Sequence, residues 1–186
     1  LASACAQKPA EPAKKPEAKK EEPKPAAPQE LFMATGGTGG TYFGIGGAIA
    51  NVWNKYAKTA RVTIQPSGAS VENLRLLSGK KAQLALAMNN VADAAWKGTG
   101  DFKDKPVEKN WLAVGCVYPD TFQGVALADR KISTIPDLKG KKVAVGPPGS
   151  GSEVNTRLVL KYYNMSYDDI QEEFATFADA TAKMKD

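Results

Sequence analysis

From Leu31 onward, short apolar runs alternate with amphipathic stretches, and the alternation repeats along the chain. Leu31-Phe32-Met33-Ala34 has the length and composition of a buried strand. Ile45, Ile49, Val52, Trp53 and Tyr56 then recur at helical spacing, which predicts a helix. Val62-Thr63-Ile64-Gln65 is rich in β-branched residues and predicts a second strand. The next helix carries Val71, Leu74 and Leu77, with Ser70 as its N-cap and Gly79 closing it. Leu84 to Met88 predicts a third strand, Asn89-Asn90 open a short helix through Trp96, and Trp111 to Val117 predicts a fourth strand. Repetition of strand, loop and helix argues for a parallel sheet wrapped by helices.

A second series follows. Phe122 to Leu127 reads as an extended segment leaving the first lobe. Val143-Ala144-Val145 predicts a strand, and Val154, Leu158 and Tyr162 a helix that Asn164 suits as a C-cap. Ser166-x-x-Asp169 has capping-box spacing. Phe174 to Phe177 predicts a last strand, and Asp179 to Asp186 opens a helix that no Gly or Pro closes. The expected fold is α/β, with two parallel-sheet lobes, over 31–121 and 128–186, joined by a crossing strand over 122–127.

Composition changes the picture at the N-terminus. Residues 6–30 contain only six Pro, six Lys, five Glu, six Ala and two Gln. Ordering a residue costs roughly 1–2 kcal/mol of backbone entropy, and this stretch has almost no apolar surface to bury in return. It is expected to be a solvated, semi-stiff linker. Before it, Leu1-Ala2-Ser3-Ala4-Cys5 resembles the end of a bacterial lipoprotein signal peptide, a 1–5 remnant in which Cys5 would carry the lipid. That implies a membrane surface as a partner and an extracytoplasmic location.

Other classes fall away. The chain has no histidine, which excludes a Ser-His-Asp triad, a Cys-His dyad and a His-ligated zinc. Its two cysteines are too far apart for a CxxC site, and Cys116, between Gly115 and Val117, reads as a small buried hydrophobe. A formal charge of +5, partly carried by the linker, does not imply nucleic acid. No paired carboxylates or metal-ligand spacing stand out, and neither a cofactor nor catalysis is expected.

The candidate chemistry lies in three loops, each following a strand and feeding a helix: Thr35 to Tyr42, Ser67 to Ser70, and Gly149 to Ser152. Seven glycines fall between Gly36 and Gly47. Free N–H groups and the dipole at a helix start form an anion site, and ligands of open α/β sheets bind at the carboxyl ends of strands. One helix terminus supplies about 0.3–1 kcal/mol, up to about 2 when partly buried. Micromolar binding needs about 8 kcal/mol, so several loops must converge. The candidate binding residues are Thr38, Gly39, Gly40, Thr41, Tyr42, Ser67, Gly68, Ala69, Ser70, Asn89, Ser150, Gly151 and Ser152. Tyr42 either stacks on a ligand or packs at a helix start. Ser67 and Ser70 either bind or cap, as does Asn89. Nucleotide fingerprints fail: GxGxxG meets Tyr42 from Gly37 and Ile49 from Gly44, and a Walker A motif at Gly140-Lys141 has Ile135 and Lys142 at obligatory positions.

The runs TGGTGGTYFGIGGAIA (Thr35 to Ala50), PSGASVENLRLLSGK (Pro66 to Lys80) and ISTIPDLKGKKVAVGPPGSGSEVNTRLVL (Ile132 to Leu160) resemble the TAXI family. These are the solute receptors of tripartite ATP-independent periplasmic (TRAP) transporters. The resemblance implies a type II periplasmic-binding-protein fold, a two-lobed clamshell without catalysis. It would capture a small carboxylated solute, such as a glutamate-like amino acid or an organic acid, for a TRAP membrane permease. Members of that family continue past the point where this sequence stops, which is the basis for expecting an incomplete second lobe. The competing readings are a receptor of an ATP-driven importer, an enzyme using the glycine loop for a phosphate-bearing substrate, and a ligand-free surface antigen.

Overall fold

The computed structural model describes residues 27–185, so Cys5 and residues 6–26 of the expected linker lie outside the described residues. Three parallel strands form the first sheet in the order β2-β1-β3: β1 (Gln29–Ala34), β2 (Ala60–Gln65) and β3 (Leu84–Ala85). Helices α1 (Thr41–Tyr56) and α2 (Ser70–Ser78) make the crossovers, and α3 (Asn89–Lys97) follows β3. A second parallel sheet pairs β4 (Lys142–Ala144) with β5 (Gln171–Glu173) around α4 (Gly151–Tyr162), and α5 (Phe177–Lys185) follows β5. The architecture is α/β with parallel sheets, as the alternation of strand and helix signals required.

β1 begins two residues before the first apolar residue, inside the expected linker. Gln29 and Glu30 pair with Ala60 and Arg61 while their side chains stay exposed, so hydropathy gives no sign of them. β3 is shorter than the apolar run through Met88. Leu86 N–H still bonds the Ala34 carbonyl of β1 (3.0 Å), but Met88 N–H leaves the sheet for Ser70 Oγ (3.1 Å). Helix α1 rests on the sheet through Gly46 and Ala50, with Ile49 beside them, whereas Val52 and Tyr56 of the expected apolar face are 60% and 69% exposed. Three apolar clusters hold the structure: Met33, Ala50 and Val62 under α1; Val71, Leu74, Val91, Ala95 and Phe102 between α2 and α3; Val145, Leu160 and Ile170 in the second lobe.

The expected strand from Trp111 to Val117 is absent. Trp111 packs edge-on against Trp96 at 5.4 Å, but Leu112 and Val114 are 87% and 94% exposed. A strand needs partners for its N–H and C=O groups, and no described strand lies alongside this run. Cys116 is exposed with it, not buried, its thiol directed at the carbonyl of Tyr118. In the second lobe the last strand lies earlier than the Phe174–Phe177 run predicts. The register Lys142–Gln171, Val143–Glu172 and Ala144–Glu173 fixes it, and Phe174 and Phe177 fall in the turn and helix beyond.

Capping chemistry is dense in the second lobe. Thr134 with Asp137, and Ser166 with Asp169, each form a capping box on a 3-10 turn. The Ser133 and Thr134 amides hold the Asp137 carboxyl below its ordinary range. The Ser166 amide, then Lys139, does the same for Asp169. Lys183 of α5 holds Glu173 low by a direct ion pair. A carboxyl whose pKa is depressed by folding contributes stability above its unfolded pKa and loses it as pH falls through the folded value. Acidification from neutrality through about pH 4 is therefore expected to loosen the second lobe. Hydrogen exchange should then rise around 134–139, 166–169 and 173–183 before it rises in the β1–β2 core. Equal onset in both lobes would contradict this.

Candidate functional site

One cavity lies where the strands of both lobes end. Three strand-to-helix loops named from sequence wall it: Gly36, Gly37, Gly39, Gly40, Thr41 and Tyr42; Gly68, Ala69 and Ser70; Pro147, Ser150, Gly151 and Ser152. The lobes meet directly beside it. Val71 N–H donates to the Gly149 carbonyl (3.0 Å), Asn90 Nδ2 to Asn155 Oδ1 (2.8 Å), and Arg157 Nη2 to Asp101 Oδ2 (2.7 Å). At Gly151 a β-carbon would collide with Met88 Sδ and fall 2.9 Å from Ser70 Oγ, so the tip of α4 sits against α2 only because it is glycine.

The backbone amides explain what the walls offer. Gly68 N–H is taken by Glu72 Oε2 (2.6 Å) and Ala69 N–H by Ser67 Oγ (3.1 Å). Thr41, Tyr42, Ser70, Gly151 and Ser152 amides find no protein acceptor among the described residues. All five belong to first turns of helices, where N–H groups point outward and the dipole is positive. Ala69 holds φ +73° and ψ −140° at the cavity wall, a conformation that costs a non-glycine residue about 1–3 kcal/mol. Ser67 grips its N–H, and Asn73 N–H its carbonyl (2.8 Å).

Several serines and asparagines turn out to be structural. Ser70 is not the N-cap of α2; Ala69 is, and the fully buried Ser70 Oγ accepts from Met88 N–H. Ser67 spends its hydroxyl on Asn73 Oδ1 (2.6 Å) and does not line the cavity; neither does Thr38. Asn89 is the first residue of α3, is exposed, and its Oδ1 accepts from Asn90 N–H (2.8 Å), so it too lies outside the lining. Ser150 caps α4, its Oγ accepting from Glu153 N–H (3.1 Å), while still facing the cavity. Behind that cap the buried Glu153 binds Arg157 Nε (2.7 Å) and the Tyr167 hydroxyl (2.8 Å), and burial followed by this carboxylate pushes the Tyr167 phenol well up.

The structure adds lining residues that sequence reasoning did not name. Thr176 and Phe177 bring the tip of α5 as a fourth helix start. Thr176 Oγ1 accepts from Asp179 N–H (3.2 Å) and donates to Asp179 Oδ2 (2.7 Å). The Thr-x-x-Asp spacing was a readable cue, hidden under the apolar Phe174–Phe177 run. Tyr118 and Asp120 enter from the segment without regular structure. Tyr42 meets Tyr118 edge-on at 6.3 Å. Burial pushes both phenols up, that of Tyr118 to about 12, and the Asp120 carboxylate adds to both shifts. Asp120 is the one charged residue of the lining, which contains neither Lys nor Arg.

The cavity has a volume of about 90 Å³. That is well above the roughly 10–15 Å³ a cavity needs to admit a single water. Among the described residues no His/Cys/Asp/Glu cluster could hold a metal ion, and no helix is long and apolar enough to cross a membrane.

The α/β fold with parallel sheets matches that of two solved binding proteins. The alkanesulfonate-binding protein SsuA from Xanthomonas axonopodis pv. citri, solved bound to MOPS, superposes with a TM-score of 0.57 at 20% identity, over 85% of this chain and 51% of that one. The periplasmic aliphatic sulphonate binding protein SsuA from Escherichia coli gives a TM-score of 0.52 at 23% identity, over 86% and 51%. The chain thus spans about half the length of the solved structures it matches. It belongs to the NMT1-like family, whose model matches residues 33–186.

Proposed function

We propose that this chain is the ligand-binding part of an extracytoplasmic solute receptor, non-enzymatic, which captures a small anion and presents it to a membrane permease. The observation that carries this reading is the convergence of four helix starts, from both lobes, on one cavity whose lining has no Lys or Arg. Charge-assisted hydrogen bonds from amides contribute about 1.5–3 kcal/mol each, so several together reach useful affinity where one helix tip does not. A carboxylate is the anion we favour, and the TAXI-like runs at Thr35–Ala50 and Pro66–Lys80 support a TRAP permease as the partner. Cys5 would tether the receptor to the membrane through the Pro/Lys/Glu-rich linker. The binding residues on this reading are Gly39, Gly40, Thr41, Tyr42, Gly68, Ala69, Ser70, Ser150, Gly151 and Ser152, with Thr176 and Phe177 added.

A sulfonate is the second reading, favoured by the likeness to two sulfonate-binding structures. Calorimetric titration of ligand-stripped protein with L-glutamate, succinate, ethanesulfonate and ATP separates these. One-to-one binding of a carboxylate is expected, and Gly151→Val, which drives a side chain into the Met88–Ser70 contact, should weaken it at least about tenfold. Binding of ATP alone, or carboxylate binding indifferent to Gly151→Val, would overturn the reading.

A further inference from the structure

The covalent connection between the lobes does not fix how they sit. No helix or strand is present from Lys103 to Leu127, where the chain passes from the first lobe to the second. Bonds across the lobes do that instead, and one of them joins charged groups. Arg157 of α4 donates from Nη2 to Asp101 Oδ2 (2.7 Å). The same nitrogen donates to Glu153 Oε2 (3.0 Å), and Nε lies 2.7 Å from Glu153 Oε1. Both ends are anchored. In the second lobe, buried Glu153 accepts the Tyr167 hydroxyl (2.8 Å) and gives its amide to Ser150 in the cavity wall. In the first, Arg75 of α2 donates to the carbonyls of Asp101 (2.8 Å) and Lys105 (2.9 Å) and lies 5.1 Å from the centre of the buried Phe102 ring.

We infer that Arg157 and Asp101 form a clasp that holds the two lobes together in the absence of ligand, so that its opening gates entry to the cavity. The gating of a solute rests on the receptor reading above; the clasp itself does not. Two neutral bonds cross the lobes beside it, Asn90 to Asn155 (2.8 Å) and Val71 N–H to the Gly149 carbonyl (3.0 Å). A charge-assisted hydrogen bond is roughly twice as strong as a neutral one, so the Arg157–Asp101 bond is the one whose loss matters most. It can also open cheaply. The two side chains are 41% and 32% exposed, so water replaces either partner. Glu153 keeps Arg157 when the lobes part, and no buried charge is stranded.

Amide hydrogen exchange of the full chain, followed by NMR without ligand, tests it. Val71 N–H donates across the lobes, so its exchange reports their separation. Thr35 N–H to Gln65 and Val145 N–H to Glu173 lie within the first and second lobes and report the unfolding of each. Asp101→Asn leaves in place the Arg75 bonds to backbone and the Arg157–Glu153 pair. It should speed Val71 exchange at least about threefold, and together with Asn90→Ala at least about tenfold, with Thr35 and Val145 unchanged. Raising NaCl to about 1 M should speed Val71 exchange more in the wild type than in Asp101→Asn. Unchanged Val71 exchange in the double variant, or equal acceleration at Thr35 and Val145, overturns the clasp. If Val71 responds to the substitutions as expected but L-glutamate, succinate and ethanesulfonate all fail to slow its exchange, the clasp holds and the receptor reading falls.

Discussion

Replacing Asn73 by alanine is expected to lower stability by about 3–5 kcal/mol, read as the change in midpoint of urea unfolding at constant slope. Asn73 is fully buried on α2. Its two amide hydrogens serve the carbonyls of Thr35 and Leu86, each at 2.7 Å, and its Oδ1 accepts from Ser67 Oγ at 2.6 Å. One side chain thus fastens the end of β1, the turn after β3 and the loop before α2. Truncation strands the buried Thr35 carbonyl and the half-buried Leu86 carbonyl and Ser67 hydroxyl, at about 1–3 kcal/mol for each buried group left unpaired. Set against a typical stability of about 5–15 kcal/mol, that is a large fraction. Asn73→Asp keeps the size but turns both donors into acceptors facing carbonyls, so it should be no milder. A loss below about 1 kcal/mol would mean that water replaces the amide, and the knot would not be what holds the loops.

The alternation of short apolar runs with helical periodicity made the parallel α/β architecture legible, because both signals follow from the backbone geometry of each element alone. Strand limits were not legible in the same way. Gln29 and Glu30 join β1 only because β2 lies beside them, and Trp111 to Val117 fails to be a strand because nothing described does. A pairing partner is a tertiary fact, and β-pattern alone does not supply one. The loops of the candidate site were readable, since small residues between a strand and a helix leave the backbone open. Which hydroxyl faces the cavity was not readable. Ser67, Ser70 and Ser150 use the same oxygens for internal bonds that they would use for a ligand. Asp120 and Tyr118 come from a segment with no periodicity, and only the folded chain brings them to Tyr42.

The glycines of the Gly36–Gly47 run divide by task, and the second large effect lies with one that does not face the cavity. Gly46→Val is expected to cost about 3 kcal/mol, at the upper end of overpacking penalties. A β-carbon at Gly46 would fall 2.5 Å from Thr35 Cγ2, 3.5 Å from Met33 Sδ and 3.7 Å from Ile64 Cγ2, where α1 lies on the sheet. Thr35 is fully buried and its hydroxyl donates to the Gln65 carbonyl at 2.7 Å, so rotating the methyl away sacrifices that bond. Relief must come from α1 moving off β1, which also moves the helix start at Thr41 and Tyr42. Gly46→Ala should cost less, because alanine recovers about 1 kcal/mol of helix propensity against the same clash. Gly44 is the control: a β-carbon there meets nothing within 4 Å, so Gly44→Ala should stabilise by up to about 1 kcal/mol. Opposite signs at two glycines of one helix separate packing from backbone entropy. If Gly46→Val unfolds at the same urea concentration as Gly44→Ala, α1 does not seat on the sheet through Gly46, and the placement of Thr41 and Tyr42 at the cavity loses its support.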